Sequence, residues 1–158
     1  MPHSARPQPP ADALPADASA PTAGQLIDLF ALATSAYFQD FAAVAAQHGL
    51  TSTQAKVLIL LREPRTMRGL AEELICDASN VTGIIDRLEG RGLVRREVDP
   101  TDRRIKNAFR TEAGDEAIRH VRADMQTTQR ALADLSDDDR TALADLLRRL
   151  HRGLEDRV

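Results

Sequence analysis

The chain has 158 residues, 42% of them apolar, and its 21 Lys and Arg stand against 24 Asp and Glu for a formal net charge of −3. That length allows one domain, or one domain with a dimerisation layer, and the apolar share is enough for a core. No uninterrupted apolar run of about 18 residues occurs and no basic-then-apolar amino terminus with a cleavage site, so neither a membrane span nor a signal peptide is expected and the expected location is cytoplasmic.

Residues 1 to 22 hold six of the eight prolines, among Ala, Asp and Ser, the composition of a disordered, partly extended tail. From Gly24 the pattern becomes a long helix to about Gln47, and 24 to 48 is expected to be a dimerisation element. Leu26, Phe30, Ala33, Tyr37, Phe41 and Val44 make one apolar stripe, which Ile27, Phe38, Ala42 and Ala45 widen, so two sides of this helix are expected to be buried. Thr51 and Gln54 then form a capping box that opens a helix whose run from Val57 to Leu61 is core.

Two short helices follow, separated by a turn. The first runs from Met67 to Ile75, with Leu70, Ala71, Leu74 and Ile75 on one face. The second runs from 78 to 91, with Val81, Ile84, Ile85 and Leu88 at helical spacing. At roughly 100° per residue the opposite face carries Ser79, Asn80, Thr82, Gly83, Asp86 and Arg87. Short polar side chains and an Arg suit the base edges of a major groove, and Gly83 lets the backbone come close. A solvated helix face has the same polarity, so this signal stands only with the next element.

Leu93 to Val98 and Ile105 to Phe109 read as strands, and Asp99-Pro-Thr-Asp-Arg-Arg104 supplies turn chemistry between them. The hairpin tip at 99 to 105 thus projects Arg103 and Arg104, which suit the negative potential of a narrow minor groove. The arrangement is a helix-turn-helix with a wing. In the carboxyl-terminal part, Thr111 and Ser136 each precede acidic residues that favour a helix start, giving two further helices. Ile118, Val121, Met125, Thr128, Leu132 and Leu135 form one stripe, and Leu143, Leu146, Leu147, Leu150 and Leu154 another. So much apolar surface outside the reading head points to a two-fold dimer, which would set two heads against a palindromic duplex with half-sites about 10 base pairs apart.

The net charge opposes DNA binding less than the total suggests. Residues 1 to 67, 68 to 110 and 111 to 158 carry −1, +1 and −3. Arg87, Arg91, Arg95, Arg96, Arg103, Arg104, Lys106 and Arg110 all fall in or after the second reading helix, so a locally positive field is expected there.

Leu70-Ala-Glu-Glu-Leu74, then Asp77-Ala-Ser-Asn-Val-Thr-Gly-Ile-Ile-Asp-Arg-Leu-Glu-Gly-Arg-Gly-Leu-Val94, then Asp99-Pro-Thr-Asp-Arg-Arg104 resemble the MarR family of bacterial winged-helix regulators. The resemblance spans roughly residues 24 to 158 and includes the wing pattern Asp102, Arg104, Thr111 and Gly114. It implies that 78 to 91 is the recognition helix, that Arg104 is the minor-groove residue, and that a homodimer represses a palindromic operator until a small ligand releases it. In the family a Leu usually precedes that Thr, and this chain has Arg110. Either a bulge corrects the register so that Phe109 turns inward, or Arg110 lays its methylenes on the core and sends its charge to solvent or phosphate.

The expected fold class is therefore mainly α with a small β-hairpin wing. A winged helix-turn-helix DNA-binding domain at 50 to 110 is joined to helical dimerisation regions at 24 to 48 and 111 to 158. The partners expected are double-stranded DNA, a second copy of the chain and a small aromatic or phenolic ligand, the last in a crevice touching Phe38, His48 or Met67. Cys76 is the only cysteine; it excludes an intrachain disulfide and reads as a small core residue. His120 and Asp124, at i and i+4, could join His48 around a metal ion, but solvated helix residues are the preferred reading, and no metal, cofactor or catalytic group is expected. The other classes in play are a winged-helix module that binds protein, and an enzyme using Cys76 or His120, for which spacing offers no second catalytic residue.

Overall fold

The structure, a computed structural model, describes residues 20–102 and 104–155; most of the proline-rich tail and Arg103 lie outside the described residues. The elements run α1 (Ala23–Gln47), α2 (Ser52–Leu60), β1 (Arg65–Thr66), α3 (Met67–Leu74), α4 (Ala78–Gly90), β2 (Val94–Val98), β3 (Lys106–Arg110), α5 (Glu112–Asp124), α6 (Gln126–Ala133) and α7 (Asp137–Glu155). The chain divides into two compact units at Thr34 and Ser35, and α1 continues through the division.

In the first unit Leu26, Ile27, Leu29, Phe30 and Leu32 are exposed. In the second, α1 buries Phe41, Val44 and Ala45, so that within one chain burial is confined to the last turns. By length and composition alone α1 is long and apolar enough to cross a membrane, although Asp28 and Asp40 interrupt its apolar run. Asp40 is tied into the fold: its Oδ2 accepts from the backbone N and Oγ1 of Thr128, at 2.9 and 2.7 Å. These bonds hold its carboxyl below the usual carboxylate range, the Thr128 hydroxyl most of all.

The core of the second unit is aliphatic. Leu58, Leu70, Ile85, Leu88 and Ile118 are the largest fully buried side chains, each stabilising by roughly 1.5–3 kcal/mol relative to exposure. Thr51 caps α2 as its spacing requires, accepting from Gln54 N at 3.1 Å while Gln54 Oε1 accepts from Thr51 N at 2.9 Å. Thr66 caps α3 in the same way, its hydroxyl accepting from Gly69 N at 3.0 Å. The polar Thr-x-x-Gly spacing was a usable start signal that the apolar pattern overshadowed.

The sheet has three strands in the order β1-β3-β2, all antiparallel. The two-residue β1 is too short for any alternation to mark it in sequence. Arg110 pairs with Val94, Phe109 with Arg95 and Ala108 with Arg96, a regular register with no bulge. Phe109 therefore faces away from the core and lies under Arg95, whose guanidinium carbon is 4.8 Å from the ring centroid. Arg110 takes the inward position, but its charge goes neither to solvent nor outward to phosphate. The guanidinium donates to Leu58 O at 2.7 Å and pairs with Asp115 at 2.5 Å, satisfying one of the carbonyls that the end of α2 leaves without a helical partner.

Two further expectations are corrected. The carboxyl-terminal segment forms three helices rather than two, because Met125, at the junction of α5 and α6, leaves helical geometry (φ −71, ψ 61), its side chain buried in the core. Ile75 does not share the core face of α3. It follows the last turn with φ 52 and ψ 50 and is 93% exposed, a left-handed conformation that costs a non-glycine residue about 1–2 kcal/mol.

Candidate nucleic-acid interface

On α4 the inward residues Val81, Ile85 and Leu88 are buried, which fixes the rotation of the helix and turns Ser79, Asn80, Thr82 and Arg87 outward. Ser79, Asn80, Gly83 and Arg87 line one shallow concavity with Thr53, Leu74, Cys76 and Ile84. Apart from its chain neighbours and the adjacent turns of the helix backbone, no atom lies within 4 Å of where a Cβ on Gly83 would stand, so the backbone is open to close approach there. Thr82 is exposed but its hydroxyl donates to Ala78 O at 3.0 Å, which leaves it lone pairs and a methyl group rather than a free donor. Cys76 is half-buried against the core, in line with a packing role.

Asp86, expected on the reading face, is engaged by the wing. Arg96 on β2 donates to Asp86 Oδ1 at 2.5 Å, to Glu89 Oε2 at 3.0 Å and to Thr82 O at 3.3 Å, while the Arg96 backbone N donates to Glu89 Oε1 at 3.0 Å. The wing is thereby fastened to α4. Charge alternation could not reveal this clamp, because the partners are ten and seven residues apart on different elements.

The wing turn is organised by Asp99. Its carboxylate accepts from Thr101 N and Oγ1, from Asp102 N and from Asn107 Nδ2. The Thr101 hydroxyl and then the Thr101 and Asp102 amides lower its pKa from 3.8 to about 2. Asp102 Oδ1 accepts from Arg104 N at 2.9 Å, so the two acidic wing residues shape the backbone that presents Arg104. The Arg104 side chain lines a second concavity with Thr66, Met67, Arg68, Ile105 and Lys106.

The positive field is carried by fewer groups than the sequence count implied. Arg91 donates to Gly49 O at 2.7 Å, Arg95 pairs with Glu97 at 2.6 Å, Arg96 holds two carboxylates and Arg110 is internal. Of the eight, Arg87, Arg91, Arg104 and Lys106 carry no ion pair among the described residues, the bond of Arg91 being to a neutral carbonyl.

Phe38, His48 and Met67 do not share either concavity described above. Phe38 lies edge-on to Tyr37 with centroids 5.4 Å apart, and Met67 lines the concavity beside Arg104 with neither Phe38 nor His48 on it. His48 Nε2 is 2.8 Å from Asp124 Oδ2 and its ring stacks on His120 at 6.2 Å. That trio is adjacent as its spacing allowed, but no group of three such side chains among the described residues has a metal-holding arrangement.

A family model described as the MarR family matches residues 50–106. The uncharacterized HTH-type transcriptional regulator YkoM of Bacillus subtilis (strain 168) is 34% identical over 106 residues, which cover 65% of this chain and 69% of that protein. The chain belongs to the MarR family. As a MarR family member it is a DNA-binding transcriptional regulator with a winged helix-turn-helix fold, and not an enzyme. A MarR family regulator from Rhodococcus sp. RHA1 is similar in structure, with a TM-score of 0.65 and 26% identity over 84% of this chain and 96% of that one. A mutant of S. aureus MepR bound to an oligodeoxyribonucleotide shares the fold, with a TM-score of 0.57 and 22% identity over 82% of this chain and 97% of that one.

Proposed function

We propose that this MarR family protein is a cytoplasmic repressor that binds a palindromic operator as a homodimer. In this reading α4 enters the major groove with Ser79, Asn80, Thr82, Gly83 and Arg87, and the wing enters the minor groove through Arg104, with Arg103 beside it. The observation that carries the reading is the convergence of Ser79, Asn80, Gly83 and Arg87 on one open concave face, while Arg96 fastens that helix to the strand leading to Arg104. Short donors and acceptors on a rigidly placed helix suit base edges, and an Arg on a braced turn suits the narrow groove.

The dimer is supported by exposed apolar side chains that a single chain does not cover: Leu146, Leu147, Leu150 and Leu154 on α7, and Leu26 to Leu32 on α1. Surface of this kind is characteristic of association. MepR, which shares the fold, is bound to an oligodeoxyribonucleotide in its structure, in keeping with DNA as the partner. Release by a small aromatic or phenolic ligand requires different affinities for two spacings of the heads. Phe38, His48 and Met67 remain the residues to test for it.

The experiment is fluorescence-anisotropy binding to duplexes selected from a random pool, read against salt. Wild-type protein should select an inverted repeat. Arg104→Ala should weaken binding to all duplexes and lower the salt slope by about 1, and Asn80→Ala should change base preference within a half-site. Sedimentation equilibrium should give twice the chain mass, and benzoate or phenol should lower operator affinity. Selection of no duplex would favour a winged-helix module that binds protein instead.

A further inference from the structure

Three helices of this chain end in the same hydrogen-bonded motif. After α1, Leu50 N donates to Ala45 O and Gly49 N to Ala46 O; after α4, Leu93 N donates to Leu88 O and Gly92 N to Glu89 O; after α3, Cys76 N donates to Ala71 O and Ile75 N to Glu72 O. The motif needs a left-handed residue at its pivot, normally glycine. Gly49 (φ 67) and Gly92 (φ 71) meet that need, but the pivot of the third is Ile75 (φ 52), the only non-glycine with positive φ among the described residues.

A β-branched side chain in that conformation crowds its own backbone, and Ile75 gains no burial in return, being 93% exposed. Strain without an internal reward points to a role outside the fold. The position suggests which. Ile75 stands between Leu74 and Cys76, both of which line the concavity that holds Ser79, Asn80, Gly83 and Arg87, so an exposed branched apolar group adjoins in the chain a face of mixed polar and apolar lining. The apolar feature that a major groove offers to such a group is the C5-methyl of thymine.

We propose that Ile75 is a specificity-determining residue that docks on the C5-methyl of a thymine at one fixed position in each half-site. This rests on the DNA-reading role of α4 proposed above. Glycine at 75 would relieve the strain and keep the turn, so Ile75→Gly removes the contact while the fold is retained.

The test replaces each thymine of the selected duplex, one at a time, by deoxyuridine, which lacks only the methyl. Wild-type affinity should fall about fourfold at one position per half-site, the value of one buried methyl-sized contact. Ile75→Gly should melt no lower than wild type and bind the thymine and deoxyuridine duplexes equally at that position. An unchanged thymine-to-deoxyuridine ratio in Ile75→Gly would overturn the proposal, whether its overall affinity falls, as for a backbone contact, or stays level, as for a surface facing another protein. Failure of the DNA reading itself would be visible earlier, as wild-type protein that prefers no duplex, and would remove this proposal with it.

Discussion

The Nη2 of Arg96 on β2 lies 2.5 Å from Oδ1 of Asp86 on α4, so the wing and the helix beside it are held by one guanidinium. Its other end reaches Glu89 at 3.0 Å, and the side chain is only 22% exposed. Arg96→Ala would leave two carboxylates on one helix face without their shared cation. Stability should fall by about 1–3 kcal/mol, read as a lower urea midpoint. Operator affinity should also fall without a change of base preference, because Arg96 orients the wing rather than touching bases. Lysine should recover only part of both losses, since a point charge cannot reach two carboxylates in a planar fork. A coupling energy near zero in a double-mutant cycle of Arg96→Ala with Asp86→Ala would show the clamp to be unimportant.

Arg110 gives a contrasting prediction. Its side chain is 15% exposed, with Leu58 O and Asp115 as partners. Arg110→Ala should lose about 2–4 kcal/mol, because it empties volume and strips a helix-end carbonyl of its donor. Arg110→Leu should lose less, since an apolar group of similar length fills the same inward position. Chemical unfolding of the three proteins measures the order, and a leucine variant as unstable as the alanine one would mean that the charge, not the packing, holds α2 to β3.

These two arginines mark where the sequence was legible and where it was not. Helix periodicity located α1 to α5, because Val81, Ile85 and Leu88 recur at the spacing that burial demands, and Thr51 announced its capping box. Side-chain partners across elements leave no such local trace: Arg96 counts in sequence only toward a positive face, and Arg110 is open between a bulge and a stem laid on the core, whereas carboxylates on other elements hold both and reduce the positive field. Likewise Ile75 kept the apolar rhythm of α3, and only its left-handed backbone removes it from the core face.

Asp99 makes the wing pH-sensitive. Its pKa is lowered to about 2 by the Thr101 hydroxyl and the Thr101 and Asp102 amides, so the folded wing favours the ionised form. That contribution is fully present above the unfolded value of 3.8 and is lost as pH falls toward 2. The Asp99 carboxyl should titrate near the lower value by NMR, with the amides of Thr101 and Asp102 losing their downfield shifts over the same range. Asp99→Asn should remove that step and lower operator affinity at neutral pH. An Asp99 carboxyl that titrates at its unfolded value would mean that the turn is not organised around it.

Two glycines should respond in opposite directions to the same added methyl group. A Cβ on Gly114 would press into Leu93 O and lie 2.7 Å from Arg110 Cγ. Neither the backbone of β2's approach, fixed by the Thr111 N to Leu93 O bond, nor the anchored Arg110 can retreat. Gly114→Ala should therefore destabilise by about 1–3 kcal/mol or more, and it explains why Thr111 and Gly114 occur together: the threonine hydroxyl accepts from Gly114 N at 3.1 Å and donates to Gly92 O at 2.7 Å, drawing the start of α5 against the β2 entry. At Gly83, in the middle of α4, the same methyl meets nothing within 4 Å. Gly83→Ala should stabilise by about 0.5–1 kcal/mol through helix propensity, yet reduce operator affinity because the methyl stands where the groove floor would come closest. Thermal melts and operator binding measured side by side separate the two effects. A Gly83→Ala protein that is more stable and binds as tightly as wild type would mean that this part of α4 does not approach the DNA.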